Sequence, residues 1–319
     1  MVGSAAIIGA GMAGLSCATR LAQGGWRVTL FDKGRRPGGR MSSKVVTAGG
    51  QSFALDYGAQ YMTARDPAFV AQIEAWAQDG VVAPWLAAGE DGWVGVPGMN
   101  AIPAHMAEPL APRWSTHIRE LVREPGGWRL GHDAGREGPF DAVILAIPAE
   151  QVPTLAAAHA PELAALAEAH PSAPCWTVML GFETRLSAAD ILANGAADGE
   201  ANDGPIDWAA RNSAKPGRAG GEAWTIHATP EWSRRHLESD TASVTASLLR
   251  ALEERVGTLP SPAYAAAHRW RYARSGKAGI GAWHRPDLGL AACGDWLIAP
   301  RVESAWLSGR QAAEAVLAG

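Results

Sequence analysis

Near its start the chain carries Gly9-x-Gly11-x-x-Gly14, set between the apolar run Ala5-Ala6-Ile7-Ile8 and a stretch of helical period. Three glycines at this spacing suit a grip on a pyrophosphate. Gly9 permits a tight turn, Gly11 admits the phosphates to the backbone, and Gly14 lets the helix lie against the strand with its first N–H groups facing the anion. Asp32 closes a second apolar run, Arg27-Val28-Thr29-Leu30-Phe31, eighteen residues after Gly14. That is close to the ~20-residue spacing at which an acid meets a ribose hydroxyl. The following loop, Lys33 to Met41, is basic and glycine-rich. Gly38 and Gly39 allow backbone paths closed to residues with a Cβ, and Arg40 offers a planar fork of donors to a phosphate.

A second platform lies near the C-terminus, where Leu288 to Cys293 reads as an apolar strand ending in Gly294-Asp295, ahead of a helix expected over 302–317. Asp295 can accept hydrogen bonds from a polyol, and the positive end of that helix suits negative charge on a reduced isoalloxazine. A nicotinamide-dependent dehydrogenase leaves this platform unexplained, so the two platforms together point to FAD.

These residues need elements to hold them. The spacing predicts a helix over 15–22 stopped by Gly24-Gly25, a strand over 53–57 running into Gly58-Ala59-Gln60-Tyr61, and a helix over 67–80 that buries Phe69, Ile73 and Trp76. A strand at Trp93 passes into a helix entry carrying Ile102 and Met106. A hairpin of 118–124 and 127–132 turns at Pro125-Gly126, and the apolar run 140–148 reads as a strand buried on both faces. Beyond it come an alanine-rich helix over 150–169, strands over 175–182 and 223–228, and a mobile surface loop over 188–204 between those strands. A long helix over 239–256 and a strand over 263–272 follow. Fourteen tryptophans are many for such a chain, and their default role is packing.

With 319 residues the chain exceeds the ~250–300 at which single cores stop growing, so two domains are expected. A net charge of -4 and the lack of any basic run argue against nucleic acid and against docking on a membrane. Cys17, Cys175 and Cys293 are odd in number, widely spaced and without C-x-x-C, which speaks against a disulfide framework and against a metal site. A reducing cytoplasm is the expected setting. The chain enters its first strand within a few residues, leaving no room for a signal peptide, and no apolar run approaches the ~18 residues of a membrane span.

Further segments carry a resemblance. They are Phe31-Asp32-Lys33, Gly38 to Ser43, Gly58-Ala59-Gln60-Tyr61 with Thr63 to Asp66, and Trp93-Val94-Gly95 with Pro97-Gly98-Met99. Later come Asp207-Trp208 with Ala210-Arg211-Asn212, His227-Ala228-Thr229, Trp232-Ser233, Ala267 to Trp270, Cys293 to Trp296, and Arg301 to Gly309. Over essentially the whole chain the sequence resembles the FAD-dependent amine-oxidase superfamily and, within it, the bacterial renalases. The resemblance implies an α/β fold: a Rossmann-like FAD-binding domain, and a second, substrate domain built on an antiparallel sheet with helices. The expected division is 1–64, 97–150 and 273–319 for the first, and 65–96 and 151–272 for the second. It further implies oxidation of dihydropyridine isomers of NAD(P)H, in their 2-dihydro or 6-dihydro forms, with O2 as electron acceptor.

The residues expected to hold FAD are Gly9, Gly11, Met12, Ala13 and Gly14 at the first turn, and Asp32, Lys33, Gly39, Arg40 and Met41 in the basic loop. Gly58, Ala59, Gln60, Tyr61 and Val122 follow, then Gly294, Asp295, Arg301, Val302, Glu303 and Ala305 at the second platform. No cysteine is well placed for a covalent link, so FAD is expected to be non-covalent. A dihydronicotinamide carries a nitrogen lone pair that pushes hydride out, so the protein's work is positioning rather than proton abstraction. His227, ending a strand in the substrate half, is the expected anchor for the substrate carboxamide, with Asn212, Arg211 and Tyr61 as further pocket residues and Trp270 and Trp296 as walls. The same platform would also serve an amine oxidase or a desaturase of another small substrate.

Overall fold

A computed structural model describes residues 2–193 and 204–319. The glycine turn grows from strand Ser4–Ile8, which is buried along its length and flanked in parallel by Arg27–Phe31 and Ala142–Leu145. Leu290–Ala292 extends this sheet in parallel beyond Ala142–Leu145, and Trp283–Arg285 closes that edge antiparallel. The central strands read as unbroken apolar runs because both faces are covered. On one face, helices Met12–Gln23 and Val302–Ala318 pack together. Their backbones touch at Gly309, where an added Cβ would stand 2.1 Å from the Ala13 carbonyl oxygen. The other face is covered by Trp128, Leu130, Val152, Leu155 and Leu163. The result is a Rossmann-like unit.

The second unit is an antiparallel sheet in the order Ile191–Ala193, Ile206–Arg211, Glu222–Ala228, Ala173–Phe182, Tyr264–Arg274. Helix Thr241–Val256, N-capped by Asp240, buries Val244, Leu248, Ala251 and Leu252 beneath it. A small sheet of Met62–Thr63, Gly92–Gly95 and Val82–Pro84 lies beside helix Pro67–Gln78. Asp66 caps that helix by accepting the Ala68 N–H at 2.9 Å.

The hairpin of Ile118–Glu124 and Gly127–His132 forms with the expected limits. Three expectations change. The helix expected over 150–169 is two, Val152–Ala156 and Pro161–Glu168, because Pro161 has no N–H to continue a helix and instead occupies a first turn. The run 140–148 divides at Asp141, whose carboxylate accepts the Ser4 N–H at 2.8 Å and hydroxyl at 2.7 Å. Gly135–Phe140 before it pairs with Gly127–His132 instead of joining the parallel sheet. Within the loop expected over 188–204, Ile191–Ala193 is a strand, and its partner Ile206–Arg211 was not anticipated; residues 194–203 lie outside the described ones.

Candidate flavin cradle and substrate chamber

A cavity of about 520 Å³ opens between the two sheets. Its first wall is the glycine turn. Gly9 adopts φ +105°, and a Cβ on Gly14 would stand 1.9 Å from the Gly9 carbonyl oxygen, so neither position tolerates a side chain. Gly11 faces open space, and with Met12 and Ala13 it lines the cavity. Helix Met12–Gln23 starts here with no capping side chain and no acid in its first turn. Its leading N–H groups are therefore left for an anion, and the turn fits a dinucleotide pyrophosphate. Asp32 does not line the cavity. Its carboxylate accepts the Ala10 N–H at 2.7 Å and the Gly34 N–H at 2.6 Å, which holds the glycine turn against the loop that follows.

The basic loop at Arg40 and the Gly294-Asp295 platform meet in one place. Arg40 donates both arms of its fork to Asp295, at 2.8 and 2.6 Å, across a sequence separation of 255 residues. Burial works against the Arg40 charge, and the Asp295 carboxylate overrides it, so the pKa ends above its ordinary value. The expected Arg40 fork on phosphate and Asp295 acceptor for a polyol are thus largely engaged with each other. Met41, Gly58, Ala59, Gln60, Tyr61, Gly294, Arg301, Val302 and Ala305 complete the cofactor-side wall. A Cβ on Gly58 would meet the Arg40 carbonyl oxygen at 2.0 Å, which shows how closely these segments approach.

The opposite wall comes from the antiparallel sheet: Cys175, Thr177, Asp207, Trp208, His227, Trp270, Ala273 and Arg274. Asp207 and Trp208 are neighbours in sequence yet both reach the cavity, because the register against Glu222–Ala228 shifts between Ile206 and Trp208. Tyr61 stacks on Trp208 at 5.4 Å, and Trp270 stacks on Tyr57 at 5.7 Å while its indole donates to the Tyr57 carbonyl. Asp207 is paired with Arg274. Burial, reinforced by Arg274 and Lys215, drives the His227 pKa down to about 3, so the imidazole is neutral at physiological pH. Burial also pushes the Cys175 thiol up to about 11, which keeps it protonated and unreactive.

Behind Gly58 to Tyr61 sits a charged group that the sequence did not announce. Asp56, fully buried, accepts from Lys215 Nζ at 3.0 Å and from Arg218 at 2.6 Å. Burial raises its pKa, and the two cations overcome that and hold it below the ordinary carboxylate value. Lys215 is lowered to about 8 by burial, against the pull of Asp56. It also donates to Gln60 Oε1 at 3.0 Å, linking the network to the cavity wall.

Several expected site residues lie elsewhere. Asn212 is completely buried behind the wall, accepting the Asp56 N–H at 3.0 Å and donating to Thr225 at 2.9 Å. Arg211 donates to Glu222 at 2.9 Å and to the Leu186 and Ala188 carbonyls at 2.7 and 2.9 Å, so it ties 186–190 to the sheet and does not face the cavity. Trp296 packs in the core beneath the parallel sheet instead of walling the chamber. Glu303 turns away from the cavity to accept the Arg65 and Asp66 N–H groups at 2.6 and 2.8 Å. Lys33 donates to Gln151 at the surface, and Val122 lies within its hairpin strand; neither these nor Gly39 belong to the cavity wall. The wall residues that reading missed, Thr177 and Cys175 among them, sit inside an apolar strand that looks like plain core.

The comparisons with known proteins agree with this arrangement. The description of an NAD(P)-binding Rossmann-like domain matches residues 7–73, and that of a flavin containing amine oxidoreductase matches residues 82–317. Among solved structures, a candidate protoporphyrinogen oxidase from Exiguobacterium sp. 255-15 superposes with a TM-score of 0.77 at 14% identity, covering 100% of this chain and 99% of that one. Putrescine oxidase bound to putrescine gives 0.73 at 15% identity over 100% of both chains. At such identities the likeness speaks for the fold. Phytoene desaturase (neurosporene-forming) of Rhodobacter capsulatus is 50% identical over 54 residues, which are 17% of this chain and only 10% of that protein. With one family description spanning most of its length, this chain belongs to the flavin-containing amine oxidoreductases, and its cofactor is a non-covalent flavin.

Proposed function

We propose that this protein is an FAD-dependent oxidase of dihydropyridine isomers of NAD(P)H, the 2-dihydro or 6-dihydro forms, renalase-like in activity. The observation that carries this reading is the charge inventory of the cavity wall. Among the described residues it holds four guanidinium groups, Arg40, Arg65, Arg274 and Arg301, against two carboxylates, Asp207 and Asp295. Both carboxylates are already paired, with Arg274 and Arg40. Arg65 and Arg301 are exposed, with Asp91 on Arg65 at 2.8 Å. A protonated amine would find no uncommitted acid on the wall, whereas phosphates suit such a surface; Arg40 and Arg301 belong to its cofactor side, which leaves Arg65 and Arg274 for a substrate.

The proton chemistry points the same way. His227, with a pKa of about 3, and the protonated Cys175 are poor bases at neutral pH. A dihydronicotinamide needs none, because its ring nitrogen expels hydride and leaves an aromatic cation. The bound flavin supplies a two-electron acceptor that O2 reoxidises. In balance, NAD(P)H isomer, O2 and a proton give NAD(P)+ and H2O2. The chain's own task is to hold the donor carbon at ~3–3.5 Å from the flavin acceptor and to keep water from the chamber.

The test is anaerobic mixing of the holoenzyme with 2-dihydro- and 6-dihydro-NAD(P) while flavin absorbance is followed. Bleaching by either isomer is expected, and failure of both would overturn the reading. An amine oxidase or desaturase is the second reading, favoured by the apolar face that Tyr61 and Trp208 present in their stack. Rapid bleaching by a primary amine would establish the first of these instead.

A further inference from the structure

Three polar atoms on the chamber wall are buried without a hydrogen bond inside the protein: Thr177 Oγ1, His227 Nε2 and Trp208 Nε1. Buried polar atoms are almost always paired, so three on one surface call for a reason. They are also in register. Thr177 stands opposite His227, and His227 opposite Trp208, across three adjacent antiparallel strands. Residues directly opposite in such a ladder point to the same face, and all three line the cavity. The row is therefore a built feature of the sheet that faces the flavin cradle.

The chemistry of the three atoms is complementary. The Trp208 indole N–H is a donor only. On His227, the Gly58 backbone favours the protonated ring, which makes the ring nitrogen beside it a donor, while Nε2 is the nitrogen with no partner. Nε2 thus presents its lone pair. The Thr177 hydroxyl makes no regular hydrogen bond, and with the Cys175 sulfur beside it as a weak acceptor for its proton it keeps its lone pairs for a ligand. One donor beside two acceptors matches a planar primary carboxamide, which carries one acceptor oxygen and two N–H bonds. It opposes a carboxylate, which can only accept.

We propose that Thr177, His227 and Trp208 form a clamp for the carboxamide of the dihydronicotinamide ring, Trp208 donating to its carbonyl oxygen while His227 Nε2 and the Thr177 hydroxyl accept its two N–H bonds. The clamp rests on the dinucleotide reading above and deepens it by naming what selects the ring and sets its orientation over the flavin. It makes a prediction that charge alone reverses. The guanidinium-rich wall by itself would favour a nicotinic acid dinucleotide over the amide, whereas the clamp sets two lone pairs against the acid's oxygens.

The experiment titrates the oxidised holoenzyme with NAD+ and with its nicotinic acid analogue and reads binding from the flavin absorbance shift, with no turnover required. NAD+ is expected to bind roughly 10-fold or more tightly than the acid, since the acid leaves buried acceptors unpaired. Trp208→Phe and Thr177→Val, which keep shape and lose the polar atom, should each erase most of that preference while flavin content and Tm stay at wild-type values. Thr177→Ser, which keeps the hydroxyl, should restore it. Equal or tighter binding of the acid by the wild type would overturn the clamp, as would an undiminished preference in both variants. In either case bleaching by a dihydro isomer would leave the functional reading standing. Lack of bleaching by both isomers, together with no NAD+ binding, would remove the reading and the clamp together.

Discussion

The two sides of the cavity recognise by different means. The glycine turn and the platform at Gly294 work through backbone: positive φ at Gly9, contacts too tight for a Cβ at Gly14 and Gly58, and bare N–H groups at the start of a helix. The antiparallel sheet works through side chains brought into one row by strand register, with Thr177, His227 and Trp208 drawn from three strands. A backbone site depends on spacing within a few residues and serves any dinucleotide. A side-chain site depends on how separate strands align, and the proposed clamp puts the choice of substrate there.

The sharpest way to break this contrast is at the support both sides share. Asp56 neutralises Lys215 and Arg218 just ahead of the wall segment 58–61. Asp56→Ala strands two buried cations, and a loss of about 3–5 kcal/mol is expected in denaturant unfolding of the holoenzyme. On the cradle side, Gly14→Ala places a methyl 1.9 Å from the Gly9 carbonyl oxygen. Overpacking of this kind costs about 1–3 kcal/mol, and flavin content after purification should fall with it, while the antiparallel sheet is untouched.

Arg40 joins the two flavin platforms, and Arg40→Met leaves the buried Asp295 without its partner. Flavin affinity, measured by apoprotein titration, should drop roughly 10- to 100-fold. On the chamber side, folded His227 resists protonation down to about pH 3, against an ordinary value of 6.5. The unfolded chain therefore binds the extra proton between these values, so stability rises with pH across that window and is lost as pH falls from 6.5 toward 3. His227→Asn should flatten this limb in a plot of urea midpoint against pH. The smallest effect is expected at the rim. Arg301→Gln should weaken kcat/KM for a dinucleotide a fewfold at low ionic strength, and salt should abolish the difference.

Residues misread from the sequence share a cause. Arg211 and Asn212 stand as pocket candidates in the sequence because they fall in one of the segments that carry the family resemblance, and such a match does not say which way a side chain points. Here they are 2% and 0% exposed and spend their hydrogen bonds on holding Glu222, Asp56 and Thr225 in place. Trp208 reaches the wall through a register shift, a feature with no marker in composition or period. Thr177 lies in the middle of Ala173–Phe182, where a single hydroxyl among apolar neighbours gives no sign that it faces a chamber.

What could be read in one dimension was the set of local rules. The glycine spacing, the apolar period of the first and last helices, the hairpin at Pro125-Gly126 and the Gly294-Asp295 platform each depend on neighbours within a turn or two of chain. Folding alone decided the rest: that Arg40 and Asp295 satisfy each other, that Asp56 lies between two buried cations, and that three strands align three unpaired polar atoms. The first two follow from burial and contacts across 100 or more residues, and the third from the register of three strands that pair side by side. The glycine turn was legible because its chemistry is carried by the backbone of one short segment. The chamber was legible only in part: His227, Tyr61 and Trp270 line it as expected, while Thr177 and Trp208 reach it through the way separate strands meet.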